Sequence, residues 1–313
     1  MQQYALWGKS ADMGQLRIVG TYTALVTPFT GGDDGAGAID WDAFAALVDA
    51  QVAGGVQGIV PCGTTGESPA LTHDEQRKLI ERSVASARGR TQVIAGTGSS
   101  STRATIEMSR EAERLGVDAV MIVVPYYNKP TQEGLFRHFV AAAAAVKLPV
   151  IVYNIPARTG IDLAPETLAR ICAAAPNVVA TKEATGNVLR AQRLACDLGD
   201  RLTVLSGDDT LTLAMIACGA RGVISVTSNL LPAEVTRATQ LALDGKYDEA
   251  RQAHLALVPV HEAMFFEANP GPVKAALAAR GKMRDAMRGP LAPVSDATRT
   301  AIAAVLDRYA RRT

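Results

Sequence analysis

The chain has 313 residues, enough for one large domain or a domain with an appendage. Hydrophobic residues make up 48% and charged residues 20%, a balance that supports a packed core and excludes a disordered chain. The net charge of +1, from 32 basic and 31 acidic residues, lacks the basic excess that a nucleic-acid or membrane-surface partner requires.

Residues 1–20, "MQQYALWGKSADMGQLRIVG", hold no continuous apolar run of the kind a signal peptide needs. They read as an N-terminal arm, with Met13 as an alternative start. From there the chain alternates. Short β-branched runs at 21–29, 58–63, 92–98, 119–127, 149–156, 178–182, 202–207 and 222–229 are each followed by an alanine-rich helical stretch. Continuous apolar runs between helices predict parallel strands covered on both faces. Helix starts support the reading. Asp40 caps a helix beginning at Trp41, Thr72 and Glu75 have the spacing of a capping box, and Pro165 suits a first helical turn.

Eight such units closing on themselves give an α/β fold, a (β/α)8 TIM barrel of about the usual ~250 residues. An open doubly wound sheet is the alternative, but no G-x-G-x-x-G follows the first strand. After Asn229 the alternation stops, and the remainder reads as helices broken at 269–274 and 289–295. The expected organisation is an arm at 1–20, a catalytic barrel at 21–229 and a C-terminal helical domain at 230–313. No run approaches the ~18 apolar residues of a membrane span. Cys62, Cys172, Cys196 and Cys218 form no C-x-x-C pair, which predicts reduced, mostly buried thiols in a cytoplasmic protein.

In this fold the chemistry sits at the carboxyl ends of the strands. The strand ends here carry "GTTGE" (63–67), "PYYNKP" (125–130), "YNIPARTG" (153–160), Lys182, "SGDD" (206–209) and "SVTSN" (225–229). A lysine projecting into a barrel mouth loses hydration, which disfavours its charged form, and a neutral amine forms Schiff bases with carbonyls. Strand position alone leaves a second reading open, in which Lys182 snorkels from the strand end or pairs with Glu183. Tyr153 or Tyr127 suits proton transfer, and the hydroxyl of Thr64 or Thr65 can bridge two phenols. Each tyrosine is otherwise a packing residue, and each threonine a turn residue. Arg158 matches a carboxylate in two parallel hydrogen bonds, unless it is a loop arginine at the surface. Asp208 and Asp209 read as helix caps, and Asn229 as a turn residue. None of His73, His138, His254 and His261 stands at a strand end, and no H-x-H or H-E-x-x-H occurs, so neither a metal nor a cofactor is expected.

Together "GTTGES", "PYYNKP", "YNIPARTG", "KEATGN", "SGDD", "GVISVTSN" and "NPGPVK" resemble the 4-hydroxy-tetrahydrodipicolinate (dihydrodipicolinate) synthase family of pyruvate-dependent class I aldolases. The resemblance covers about residues 20–300, in order and at family spacing. It implies a Schiff base between Lys182 and pyruvate, whose enamine adds to the aldehyde of L-aspartate 4-semialdehyde. It implies that Tyr153 is the acid/base near the imine, linked through Thr64 to Tyr127 as a proton relay. Tyr127 would come from a neighbouring subunit, so the resemblance also implies a dimer of dimers. Thr65 would hold the pyruvate carboxylate, Arg158 that of the semialdehyde, and Gly207 and Ile224 would line the pyruvate pocket through backbone carbonyls.

One departure bears on regulation. Lysine-inhibited members carry a histidine, an asparagine and a glutamate where this chain has Gln76, Ser100 and Ala104, although Ser68, His73 and Tyr126 match. The resemblance therefore implies weak feedback by L-lysine. Within the superfamily, N-acetylneuraminate lyases and 2-keto-3-deoxy sugar-acid aldolases share the lysine and tyrosine. Sialate lyases resemble "GSTGE" and lack the arginine, so the paired threonines of "GTTGE" and Arg158 favour the synthase. A non-catalytic keto-acid-binding barrel is the reading from another class; it would be free to lose Lys182 or the tyrosine–threonine set, and this chain keeps both.

Overall fold

The computed structural model describes residues 16–31 and 37–312. The β-branched runs become strands and the alanine-rich stretches become helices in strict alternation. The strands are β1 (Gly20–Ala24), β2 (Gly58–Val60), β3 (Gln92–Gly96), β4 (Ala119–Val123), β5 (Val150–Asn154), β6 (Val178–Glu183), β7 (Thr203–Ser206) and β8 (Gly222–Ser225). They pair in parallel and in chain order, and β8 returns to β1 to close the barrel. The helices are α1 (Trp41–Ala53), α2 (His73–Ala87), α3 (Thr102–Arg114), α4 (Gln132–Ala144), the short α5 (Pro156–Thr159), α6 (Pro165–Ala174), α7 (Val188–Leu198) and α8 (Thr212–Ala217). Four more follow β8: α9 (Pro232–Leu243), α10 (Tyr247–Ala263), α11 (Gly271–Ala279) and α12 (Asp296–Ala310).

Local chemistry sets the boundaries. Asp40 accepts from Ala43 N, Thr72 and Glu75 form the reciprocal capping box, and Pro165 opens α6, all as the sequence predicts. Alternation along each strand separates two cores. Tyr22, Val60, Ile94, Met121, Ile151, Ala180, Leu205 and Ile224 fill the barrel interior. Their neighbours, such as Ile59, Val93, Val120, Val152 and Val204, pack outward against the helices. The β8–β1 seam depends on glycine: a Cβ on Gly222, at φ +150°, would lie 2.0 Å from the Gly20 carbonyl oxygen. Helix α9 packs on β1 and α1, covering that seam, and α10 and α12 pack beyond it. The boundary expected at 229/230 thus falls just ahead of a helix that lies on the barrel.

The sequence overstates most strands at their carboxyl ends. Ladders end at Ala24, Val60, Gly96, Val123, Asn154, Ser206 and Ser225, short of the expected limits, whereas β6 continues one residue further, to Glu183. Many of the surplus residues are apolar or β-branched, yet they lie past the last ladder pair, in the turns that lead to the helices. Cys62 at φ +56° and Tyr127 at φ +73° mark two points where the backbone leaves the strand region altogether. Of the expected arm, residues 1–15 lie outside the described residues, while Ile18 packs into the foot of the barrel. The four thiols are unpaired: Cys62 and Cys172 are buried, Cys218 half-buried and Cys196 exposed. Among the described residues no helix is long and apolar enough to cross a membrane.

Helices α3 and α4 are joined by His138, whose Nδ1 lies 2.9 Å from Thr102 Oγ1. Burial disfavours the imidazolium and lowers this histidine from 6.5 to about 4. The unfolded chain therefore takes up a proton near pH 6.5 that the folded chain refuses until about pH 4. Stability from this group is present above pH 6.5 and is lost as the pH falls through that window, by about 3 kcal/mol in the limit. Urea denaturation at pH 7 and at pH 4.5 is expected to show a smaller acid-induced loss in His138→Gln than in the unaltered chain.

Candidate active site

Lys182 lies on β6 with 5% of its surface exposed. Register pairs it with Tyr153 on β5 and Leu205 on β7, in the layer of residues that face the barrel axis. Its Nζ sits over the Tyr153 ring, 4.3 Å from the centroid, and Tyr153 is itself buried. Pairing with Glu183 does not occur. Successive strand residues point to opposite faces, and Glu183 is held on the other face by Arg190 Nε at 2.9 Å and Thr185 N at 2.9 Å. Among the described residues no acid forms an ion pair with Lys182. The result is a buried amine beside a phenol, with no salt-bridge partner, at the carboxyl end of the barrel.

Glycine makes room for that amine. A Cβ on Gly207 would lie 3.1 Å from Lys182 Cε and 2.6 Å from Ala184 Cβ. Strands β7 and β8 register only at Ser206 and Val223. The next residue along β7, Gly207, stands beside the lysine, whereas Ile224 of β8 is paired with Tyr22 of β1 in the barrel interior.

The threonines sit in the turn after β2. Thr65 is buried and accepts from Asn269 Nδ2 at 3.0 Å, whereas Thr64 is half-buried. Among the described residues no hydrogen bond joins Thr64 to Tyr153 or to Tyr127, so one chain alone brings Lys182 and Tyr153 together but leaves the expected relay open. Tyr127 is 92% exposed and points away from its own barrel. Asn128 N donates to Tyr126 O at 2.9 Å, which with φ +73° makes Tyr127 the centre of a strained left-handed γ-turn. Arg158, on α5, is exposed at the rim, with Nη2 3.4 Å from the Asn269 carbonyl oxygen.

Several residues near this mouth escape a strand-end reading. Asn229 is a clasp rather than a turn residue: it accepts from Val26 N and donates to Ala24 O and Val226 O, tying β1 to β8. Asp208 caps a short 3-10 turn as expected, but Asp209 accepts from Val226 N and Thr227 N across the barrel end. Glu67 and Lys274 form a buried ion pair, with Lys274 Nζ 4.3 Å from the Phe29 ring centroid. Burial lowers the Lys274 ammonium from its ordinary value, and Glu67 opposes that shift. Arg288 reaches both oxygens of Glu75 and holds that carboxyl at about 2. The final Glu of "GTTGE" and the Lys of "NPGPVK" are the only sequence traces of this network.

Family and fold comparisons agree with the geometry. The model described as the dihydrodipicolinate synthetase family matches residues 17–309. The chain belongs to the dihydrodipicolinate synthetase family. It is 59% identical over 300 residues to the 4-hydroxy-tetrahydrodipicolinate synthase of Sorangium cellulosum, covering 96% of this chain and 99% of that one. The synthase of Methylacidiphilum fumariolicum SolV superposes with a TM-score of 0.92 at 44% identity, covering 95% of this chain and 97% of that one. The chloride-inhibited enzyme of Acinetobacter baumannii, solved in complex with pyruvate, gives 0.91 at 39%, covering 94% and 99%. For this member of the dihydrodipicolinate synthetase family, Gly207→Ala is expected to crowd the lysine. If the lysine is the reacting group proposed below, its reaction should slow by about a hundredfold, the cost of a displacement of roughly 1 Å, while the thermal midpoint falls only modestly. Stopped-flow trapping and calorimetry on the same preparation check both.

Proposed function

We propose that this chain is a 4-hydroxy-tetrahydrodipicolinate synthase, a lyase that condenses pyruvate with L-aspartate 4-semialdehyde on the diaminopimelate route to L-lysine. The observation that carries the reading is the buried, unpaired amine of Lys182 against Tyr153, with Gly207 leaving space beside it.

Lys182 Nζ attacks the ketone carbon of pyruvate, and water leaves as the imine forms. Loss of a methyl proton gives the enamine, whose carbon adds to the aldehyde of the second substrate. The amino group of that substrate then attacks the imine carbon, closes the ring and releases Lys182. Tyr153 is assigned the proton transfers at the imine, because it is the phenol against the amine. Thr65 is assigned the pyruvate carboxylate, together with N–H groups of the turn at 63–67, and Arg158 the carboxylate of the semialdehyde. Gly207 and Ile224 are assigned the wall of the pyruvate pocket.

Thr64 and Tyr127 are assigned the relay that links Tyr153 to solvent, with Tyr127 acting in a neighbouring protomer. The exposure and strained backbone of Tyr127 support this, since a bulky residue held at positive φ costs about 1–3 kcal/mol. The reading therefore includes a homo-oligomer, a dimer of dimers, working in the cytoplasm. The division at 229/230 into a catalytic barrel and a C-terminal helical domain is part of the same proposal.

Borohydride reduction with pyruvate should fix a three-carbon adduct on Lys182, and Lys182→Ala should lose turnover by at least a thousandfold, about the loss that follows removal of a nucleophile. An adduct on another residue sinks the reading, as does faster cleavage of sialate than condensation with aspartate semialdehyde. Mixing Lys182→Ala with Tyr127→Phe subunits should restore activity, because each supplies the group the other lacks.

Weak feedback is also expected. His73 Nε2 is 2.9 Å from Glu111, Gln76 Nε2 donates to Ser68 O at 2.8 Å, and no carboxylate stands at Ala104. A titration with L-lysine should reach half-inhibition only above the millimolar range.

A further inference from the structure

Asn269 touches both side chains to which substrate carboxylates are assigned. It lies between α10 and α11, 204 residues along the chain from Thr65, and is buried. Its Nδ2 donates to Thr65 Oγ1 at 3.0 Å, and its backbone carbonyl accepts from Arg158 Nη2 at 3.4 Å. A threonine hydroxyl has one proton to give and two lone pairs. With the amide of Asn269 on one lone pair, the Thr65 proton cannot point at Asn269 and is left for another acceptor.

The surroundings hold Asn269 still. Lys274 N donates to Pro270 O at 3.0 Å, and Lys274 Nζ pairs with Glu67, two residues beyond Thr65. The 269–274 segment therefore braces the threonine turn at two points. Stability alone does not explain the amide. Asn269 Oδ1 is buried and finds no hydrogen-bond partner among the described residues, a cost that alanine would remove.

We propose that Asn269 is a positioning residue for the condensation. It orients the Thr65 hydroxyl so that its proton faces the pyruvate carboxylate, and it steadies Arg158 above. This rests on the pyruvate reading of Lys182 and Thr65 given above.

The test is a set of kinetic constants for pyruvate. Asn269→Ala is expected to raise KM for pyruvate about tenfold, the value of one oriented hydrogen bond, with kcat changed less than about threefold. Asn269→Asp has nearly the same shape but offers an acceptor in place of the donor. It draws the Thr65 proton to itself, so KM should rise further than in the alanine variant, although a purely structural role predicts the opposite order. In a Thr65→Val background, which has no hydroxyl to orient, Asn269→Ala should raise KM by no more than about twofold. An unchanged KM in either single variant overturns the proposal. So does an alanine variant worse than the aspartate one, or the same fold-change in both Thr65 backgrounds. The borohydride adduct of the unaltered chain keeps the two questions apart: its absence sinks the pyruvate reading, whereas its presence with additive variants sinks only the role of Asn269.

Discussion

The site depends on a lysine kept inside a barrel with no acid paired to it among the described residues. Burying an amine without a counter-charge costs free energy, and folded chains ordinarily avoid it by pairing or by exposure. This chain holds both solutions side by side. Lys274 is fully buried and is compensated by Glu67 and by the face of Phe29. Lys182 is nearly as buried and lies against the Tyr153 ring and a gap made by glycine. The nearest candidate acid, Glu183, is turned to the opposite face by strand alternation and held there by Arg190. Two adjacent residues thus carry opposite assignments, one structural and one chemical, because a strand points successive side chains to opposite faces.

The barrel supplies the position, but not all of the site comes from the barrel. The threonine turn after β2 is braced by Asn269 and Lys274 at the start of α11 and by Arg288 beyond its end. Residues far along the chain therefore set the geometry of a turn formed near its start. This gives the C-terminal part of the chain a hold on the turn that carries Thr64 and Thr65.

The fold was legible because its signals are local and repeated. Period, length and capping residues at Asp40, Thr72 and Pro165 state each element separately, and eight strand-helix units allow one closed arrangement. Strand ends were less legible. Residues such as Val226 and Tyr127 have strand-like side chains, but they leave the ladder where the mouth needs turns. Lys182, Tyr153 and Arg158 could be placed at the mouth from strand position, and the shared motifs assigned their roles. Asn269 and Lys274 could not be placed, and Asn229 was placed at a strand end without its clasp role, because their partners lie about two hundred residues away. A buried asparagine and a turn asparagine look alike until the chain is folded.

Strain follows the same division. Cys62, Glu67, Tyr127 and Lys129 are non-glycine residues with positive φ, and all four lie in the two loops that follow β2 and β4. Each costs the fold up to about 1–3 kcal/mol, and two of the four are visibly held by other residues. Glu67 is fixed by Lys274 and by Arg288 N, and the Tyr127 turn is closed by the Asn128 amide, whose side chain reaches Ser100 O. The helices around the barrel thus do more than cover it. Lys274 of α11 fixes the first of these loops through Glu67, and the reach of Asn128 to Ser100 O fixes the second, so both keep backbone conformations that their residues would not adopt alone.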